Sequence, residues 1–199
     1  GKEVYLNPLK REDANKFIEI GRNLEHTQLI LCGKNAAYIE TENENFYKEI
    51  NKYYERLEIV EDLTKVDDTV LKVTLCNFNG VEENTFHHFN DYKNDFKVAI
   101  AASVFIDITS LTANKGNAII GIQKELNITP EETLVFGDYL NDLEMMQNAK
   151  FSYAMKNAHP DIKSASKFMT SFDNNENGVL RTIAELGLLK NLEIKNGLY

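Results

Sequence analysis

The segment TLVFGDYLNDLEMM, residues 133–146, carries the residue types in this sequence that are best suited to chemistry. An apolar strand is predicted to end at Gly137, Asp138 follows at once, and Asn141 and Asp142 open a predicted helix. In a parallel α/β sheet, ligands bind at the loops that follow the carboxyl ends of the strands. Two carboxylates in one such loop suit a hard cation, because Mg²⁺ needs only one or two protein carboxylates. The amide of Asn141 and the helix N-terminus can both donate hydrogen bonds to phosphate oxygens.

Lys115, in the segment TANKGNAII at 112–120, is a candidate cation for the same site. It lies in the first turn of a predicted helix, just after Asn114, where a positive charge opposes the helix dipole. That position favours a lysine that binds phosphate and offsets negative charge beside a nucleophile. A plainer interpretation remains open for both stretches. Asp142 can be an ordinary first-turn carboxylate, and Lys115 can be a solvated surface lysine.

The elements that must position these residues follow two different rhythms along the chain. Over about the first hundred residues, helical periods and strand-like runs are typical of an α+β unit with helices on one face of a sheet. There, strands are predicted at 4–6, 28–32, 36–39, 70–75 and 96–101, and helices at 14–24 and 46–57. Later, strands are predicted at 104–108, 133–136 and 151–155, and helices at 116–126, 141–149, 161–166 and 178–186. This second alternation predicts a parallel sheet with helices on both faces, and it places the boundary near residues 102–110.

Composition and charge limit the classes of partner. The chain has 199 residues, of which 43% are apolar, so it can bury a core. A net charge of −9 disfavours binding to nucleic acid or to an anionic membrane surface, and a phosphorylated ligand therefore needs a local cation or a metal. Cys32 and Cys76 each end an apolar run, which favours buried, reduced thiols in a cytoplasmic protein. The last ten residues are weakly patterned.

Four stretches, NKG, GDYLND, YAMKNAHPDIKSASKF and NNENGV, together resemble the C-terminal part of the haloacid dehalogenase-like phosphatases. The most similar branch is the Cof-type, or sugar-phosphatase-like, branch. The resemblance is strong from about residue 104 to 186 and loose over residues 4–101. It implies an α/β fold in which residues 103–199 form the second half of a Rossmann-like parallel sheet. It also implies that residues 1–102 form an inserted α+β type II cap that selects the substrate.

The resemblance assigns roles to the residues already singled out. By it, Asp138 would bind Mg²⁺, and Asp142 would bind or orient the ion from nearby. Asn141 would contact the phosphoryl group. Lys115 would act in catalysis by neutralising both the phosphate and the nucleophile.

Three other positions carry weaker indications. By the resemblance, Asn157 and Asn174 would lie on loops that flank the same edge of the sheet, although turn chemistry explains them almost as well. Asp107 superficially resembles part of a nucleophile motif, but it lies only eight positions before Lys115. No crossover unit fits in that interval, so Asp107 is interpreted as a hinge residue between the two parts.

The sequence departs from the family at the motif on which the chemistry depends. The family carries an N-terminal DxDGT motif whose first Asp forms an aspartyl-phosphate, and this sequence does not contain it. We therefore expect a cap plus the second half of the core, inactive alone, whose sheet is completed by a missing N-terminal segment or by another chain. The function expected of the whole enzyme is Mg²⁺-dependent hydrolysis of small phosphorylated metabolites such as sugar phosphates. The alternatives are a non-catalytic phosphate- or metabolite-binding protein and a plain interaction domain.

Overall fold

A computed structural model describes residues 3–41 and 43–189 of the chain. The chain divides into two compact units. One is Leu6–Ala113, and the other is the chain from Asn114 onward together with the residues before Leu6. The weakly patterned residues 190–199 lie outside the described part. Within the described residues, no helix has both the length and the apolar character that a membrane span requires.

The unit Leu6–Ala113 is built on a six-stranded sheet with the order β3-β2-β1-β4-β6-β5. Its strands are β1 (Thr27–Gly33), β2 (Ala37–Ile39), β3 (Leu57–Ile59), β4 (Val70–Asn77), β5 (Phe96–Ala102) and β6 (Phe105–Ser110). Neighbouring strands are antiparallel, except that β2 and β3 are parallel. The sheet therefore joins segments that are far apart in sequence, and its register depends on pairing that no local pattern specifies.

Both faces of this sheet contribute to buried clusters. Helix α1 (Arg11–Arg22) has the apolar spacing of an amphipathic helix, and its stripe, which includes Phe17 and Ile18, packs in one cluster with Leu31 of β1. The neighbouring residue Ile30 lies in a second cluster, with residues of helix α2 (Glu44–Ile50). Consecutive strand residues point to opposite faces, which explains why Ile30 and Leu31 belong to different clusters. A short helix, α3 (Val81–Asn84), precedes a 3₁₀ segment.

The second unit contains a three-stranded parallel sheet with the order β7-β8-β9. Its strands are β7 (Leu134–Gly137), β8 (Phe151–Ala154) and β9 (Phe168–Met169). Its helices are α4 (Lys115–Leu126), α5 (Leu143–Gln147), α6 (Pro160–Ala165) and α7 (Gly178–Glu185). Parallel pairing of β7 with β8 confirms the predicted parallel sheet, and the α/β class is confirmed with it.

One predicted strand belongs to the other unit. The strand predicted at 104–108 is β6, which pairs antiparallel with β4 and β5 in the six-stranded sheet. The interpretation of this strand as the start of the parallel sheet is wrong, because Ile106 and Ile108 are buried in the cluster that contains α1. The compact units therefore meet in sequence at Ala113 and Asn114, rather than at residues 102 and 103. Asp107 lies inside a paired strand, so the prediction of a hinge at Asp107 is also wrong.

Several predicted helices and strands also differ from the structure in their bounds or their existence. Residues 4–6 form no strand. The helix predicted at 46–57 ends at Ile50, a turn follows at residues 51–53, and Leu57 already belongs to β3. The helix predicted at 141–149 is a 3₁₀ turn followed by α5. Strands β3 and β9 were not predicted, because each is very short and is defined by its partner strand. Local periodicity does not identify such partners.

Candidate metal and phosphate site

The loop after β7 folds tightly against the end of its own strand. A Cβ atom added to Gly137 would lie 2.8 Å from the Cβ of Asp142 and 2.8 Å from the Sδ of Met146. Only a residue without a side chain leaves room for this approach. Gly137 therefore allows the turn at Leu140–Asp142 to bring the Asp142 carboxylate back under the strand end.

Asp142 is buried, and both of its carboxylate oxygens accept hydrogen bonds. Its Oδ1 pairs with the Lys115 ammonium, while its Oδ2 accepts from the backbone N–H of Asp138 at 2.9 Å and from that of Tyr139 at 3.4 Å. Burial alone would raise the pKa of the Asp142 carboxyl, but the Lys115 ammonium and the two backbone donors outweigh burial and lower the pKa. Asp142 is therefore ionised at neutral pH and fixes the shape of the loop.

Lys115 reaches Asp142 from the first residue of α4. The helix begins cleanly because the Asn114 side chain accepts from the backbone N–H of Asn117 at 2.7 Å. Gly116 lets α4 approach α5, since a Cβ atom there would lie 2.5 Å from the Cβ of Glu144. The Lys115 side chain is still 51% exposed, so its ammonium remains accessible to an anionic ligand.

Asp138 is joined to two distant loops. The Asn174 side-chain amide donates to Asp138 Oδ2 at 2.6 Å, and the Asn174 backbone N–H donates to Asn157 Oδ1 at 3.4 Å. The structure therefore brings Asn174 to the carboxylate at the end of β7, and Asn157 to Asn174. The predicted phosphate contact, Asn141, lies in the same turn as Asp142 with an exposed side chain. The functional roles of these residues stay predictions.

His159 was missed by the sequence reasoning. Its backbone N–H donates to the Asp138 carbonyl at 2.8 Å, and its ring makes an edge contact with Tyr139, with the ring centroids 5.7 Å apart. The signal was the pair His159-Pro160, which is typical of a helix start, here that of α6. His159 thus supports the loop from the neighbouring strand end.

The donor set fits a magnesium ion held by few protein ligands. The described residues contain no group of three or more His, Cys, Asp or Glu side chains that could hold a metal. Mg²⁺ does not require such a cage, because it keeps several waters and binds one or two carboxylates together with substrate phosphate. Asp138 is the partly buried carboxylate suited to that role. Direct coordination by Asp142, whose two oxygens already accept hydrogen bonds, stays a prediction.

A parallel α/β sheet with two aspartates and a lysine at one strand end suits a hydrolase that binds a phosphate group and a metal ion. A family model described as haloacid dehalogenase-like hydrolase matches residues 1–183. The chain belongs to this family, and the predicted enzyme class, a hydrolase of the phosphatase kind, is confirmed at the level of the family.

Particular relatives narrow the comparison. The chain is 30% identical over 185 residues to the 5-amino-6-(5-phospho-D-ribitylamino)uracil phosphatase YbjI of Escherichia coli. This match covers 92% of this chain and 68% of that protein. A crystal structure from Eubacterium rectale matches with a TM-score of 0.84 at 23% identity, over 93% of this chain and 71% of the other. A sugar phosphatase of subclass IIB, BT4131, matches with a TM-score of 0.69 at 20% identity, over 94% of this chain and 70% of the other. The two solved structures support the fold, and the chain spans about two thirds of the length of all three proteins.

Proposed function

We propose that this chain provides the metal and phosphate site of a Mg²⁺-dependent phosphatase that acts on small phosphorylated metabolites. The observation that carries the proposal is the joined set of Lys115, Asp138 and Asp142 at the end of β7. One exposed ammonium beside two carboxylates offers a cation for phosphate oxygens and an acidic position for a metal ion. Ordinary helix capping does not explain a lysine in the first turn of α4 that reaches into the next loop.

Each residue of the site has a distinct part in the proposed chemistry. Asp138 would hold the magnesium ion, which when bound stabilises negative charge on phosphoryl oxygens. Lys115 binds the phosphate and offsets the charge of the attacking group. Asp142 orients Lys115 and the backbone of the loop, and Asn141 donates to a phosphate oxygen. Asn174 holds the carboxylate of Asp138 in place.

Calorimetric titration of the chain with Mg²⁺ tests the metal site. Asp138→Ala should weaken Mg²⁺ binding by about tenfold or more. The matched control is Glu131→Ala, which removes an exposed carboxylate just before β7, at the opposite end of the same strand. Equal Mg²⁺ affinity in the parent and in Asp138→Ala would show that the metal site is wrong.

Titration with inorganic phosphate in the presence of Mg²⁺ tests the lysine separately. Lys115→Met keeps the length of the side chain but removes the charge, and it should weaken phosphate binding. Lys124→Met, on the exposed side of the same helix α4, should leave phosphate binding unchanged. The role of Lys115 is refuted if the two variants bind phosphate alike.

We propose that the nucleophile is carried by a segment outside these 199 residues. The DxDGT motif is absent from the sequence, and β7 has a paired neighbour only on the β8 side among the described strands. An added strand at β7, from the same protein or from another chain, would complete the sheet and bring an acidic nucleophile to the strand end. The chain alone should not hydrolyse p-nitrophenyl phosphate, and the chain joined to a DxDGT-bearing segment should do so. Mg²⁺-dependent turnover by the chain alone would contradict this proposal.

The substrate class follows from the relatives as a proposal. The Escherichia coli relative is named for a phosphorylated ribitylamino-uracil, and BT4131 is titled a sugar phosphatase. We propose sugar phosphates and similar small metabolites as substrates, with the unit Leu6–Ala113 selecting the leaving group. The two buried, unpaired thiols Cys32 and Cys76 support a cytoplasmic location. A screen of phosphorylated metabolites against the completed enzyme tests this substrate class.

The second candidate function is phosphate or metabolite binding without catalysis. The observation that favours it is again the absence of DxDGT from the sequence, together with a lysine that remains half exposed beside an acidic loop. Under this candidate, the chain binds phosphorylated metabolites at Lys115 but no added segment restores turnover. Turnover by the completed enzyme would exclude it.

A further inference from the structure

A cavity of about 320 Å³ opens on the sheet of the unit Leu6–Ala113. Its volume lies within the range of small-molecule pockets. The lining residues come from the segment after α2 and from strands β4, β5 and β6: Tyr53, Tyr54, Lys72, Thr74, Ala101, Ala102, Phe105 and Asp107. The metal and phosphate site uses none of them.

The floor of this pocket is a hydrogen-bonded ion pair. Lys72 Nζ lies 3.0 Å from Asp107 Oδ2, and the Thr74 hydroxyl donates to Asp107 Oδ1 at 2.7 Å. Thr74 and Asp107 are direct partners across β4 and β6, so the backbone ladder fixes this arrangement. The carboxylate and the ammonium balance each other in charge, which favours a neutral ligand group over an ionised one.

The walls of the pocket are apolar and aromatic. The rings of Tyr53 and Phe105 stand at 78° with their centroids 5.6 Å apart, and Tyr53 is 61% exposed at the rim. Ala101 is the extra residue of a bulge in β5, and with Ala102 it forms a wall of small side chains. Bulges occur often next to ligand sites because they redirect the side chains of a strand.

We infer that this pocket binds a neutral planar ring with an adjacent hydrogen-bond donor and acceptor, that is, a lactam edge. The ring N–H would donate to the Asp107 carboxylate, and the ring carbonyl would accept from the Lys72 ammonium. The ring face would pack on Tyr53. A polyol fits less well, because its hydroxyl groups would face apolar walls without hydrogen-bond partners. The inference concerns ligand binding at this pocket alone and assigns the pocket no part in the reaction proposed above.

Backbone amide NMR of the full chain during titration with uracil tests the inference without any need for catalysis. Uracil at up to about 10 mM should give saturable shifts confined to the lining residues, a range typical of weak fragment binding. The matched probe is 1,3-dimethyluracil, which keeps the ring but has no N–H donor. We expect 1,3-dimethyluracil to bind at least about tenfold more weakly than uracil, because it cannot donate a hydrogen bond to the Asp107 carboxylate.

Variants locate the binding. Tyr53→Ala removes an exposed ring without touching the ion pair and should weaken uracil binding about fivefold or more. Lys72→Met should also weaken uracil binding. Lys97→Met, at an exposed position on strand β5 of the same sheet, should have no effect. Folding of each variant is checked from its amide spectrum.

Three outcomes would overturn the inference: no saturable shift with uracil, equal affinity for 1,3-dimethyluracil, or tighter binding of ribitol than of uracil. None of these outcomes depends on the Mg²⁺ and phosphate titrations of the other unit. Failure of the pocket and failure of the proposed function are therefore separately visible.

Discussion

Each unit of the chain contains a lysine paired with an aspartate, and the two pairs are built in different ways. Lys72 and Asp107 lie on neighbouring strands of the six-stranded sheet, and both side chains are about one quarter exposed. Lys115 and Asp142 join a helix start to a loop, where the aspartate side chain is 4% exposed and the lysine 51%. The lysine–aspartate pair therefore connects two paired strands in one unit, and it connects a helix to a loop in the other.

The difference shows which residues of the two pairs stabilise the local structure and which are available to bind a ligand. In the six-stranded sheet, backbone ladders and buried clusters on both faces already fix the strands, so the ion pair adds little to stability. In the parallel unit, Asp142 itself holds two backbone N–H groups of the loop, and Lys115 is left open on one side.

The cores of the two units reinforce the contrast. The unit Leu6–Ala113 fully buries large rings, including those of Phe17, Phe46 and Phe89. The main cluster of the parallel unit consists of smaller or flexible side chains, namely Val135, Met146, Ala149, Ala154, Met155, Ala158 and Ile162. Because it buries less apolar bulk, the parallel unit depends more on its polar contacts.

Removing the buried carboxylate should give the largest effect. Asp142→Ala leaves the N–H groups of Asp138 and Tyr139 without their acceptor, and it should lower the free energy of unfolding by about 2–4 kcal/mol. Urea unfolding, followed by amide exchange at β7 and β8, measures the change. Strands β1 and β4 should keep their protection. A loss below about 0.5 kcal/mol would show that the Asp142 contacts do not hold this loop.

The second largest effect on stability is expected from a substitution that fills the space between α4 and α5. Gly116→Ala places a Cβ atom against Glu144 and should cost about 1–3 kcal/mol, although alanine is the better helix former. The same variant should weaken phosphate binding, since α4 carries Lys115. Lys124→Ala, on the same helix, is the control and should stay within about 0.5 kcal/mol of the parent. A Gly116→Ala variant as stable as the parent would mean that α4 and α5 are not in close contact.

Lowering the pH should reduce the contribution of the Asp142 carboxylate to the stability of the parallel unit. The folded-state pKa of Asp142 lies below its ordinary value of 3.8, so its ionised form stabilises the folded unit above that pH. The stabilisation is lost as the pH falls through the folded-state pKa. The difference in unfolding free energy between the parent and Asp142→Asn should be constant above about pH 5 and should shrink below about pH 4. A difference that grows on acidification would reverse the sign and contradict the lowered pKa.

The smallest effect on stability is expected from removing the ion pair between Lys72 and Asp107. Asp107→Ala should lower the free energy of unfolding by no more than about 1 kcal/mol, because the pair is partly exposed and the strands are fixed by their backbones. The same variant should abolish the difference between uracil and 1,3-dimethyluracil in the pocket. If Asp107→Ala destabilises the chain as much as Asp142→Ala, the contrast between the two pairs is wrong.

The local part of the candidate site was predictable from sequence. Asp138, Asn141 and Asp142 lie within five positions, so a strand followed by a helix already places them in one loop. Lys115 was placed at the start of α4 for the same reason, because caps and first turns have local signals. The parallel β7 and β8 were likewise indicated by the alternation of strand and helix.

The distant parts of the site required the fold. Asn174 is 36 positions from Asp138, and only the folded loops bring its amide to that carboxylate. The interpretation of Asp107 as a hinge was wrong because the residues next to it in sequence do not indicate its pairing with β4.

The sequence by itself determined the end of β7, the start of α4, the acidic loop between β7 and α5, and the membership of residues 133–146 in a parallel α/β unit. These features depend on turn chemistry, caps and periodicity over a few residues. Only the tertiary structure decided that β6 joins the six-stranded sheet, that Lys72 faces Asp107, and that Asp142 is a buried, hydrogen-bonded carboxylate. Strand pairing and burial come from contacts between segments that are remote in sequence, and alternation alone assigns a face to a residue but no partner.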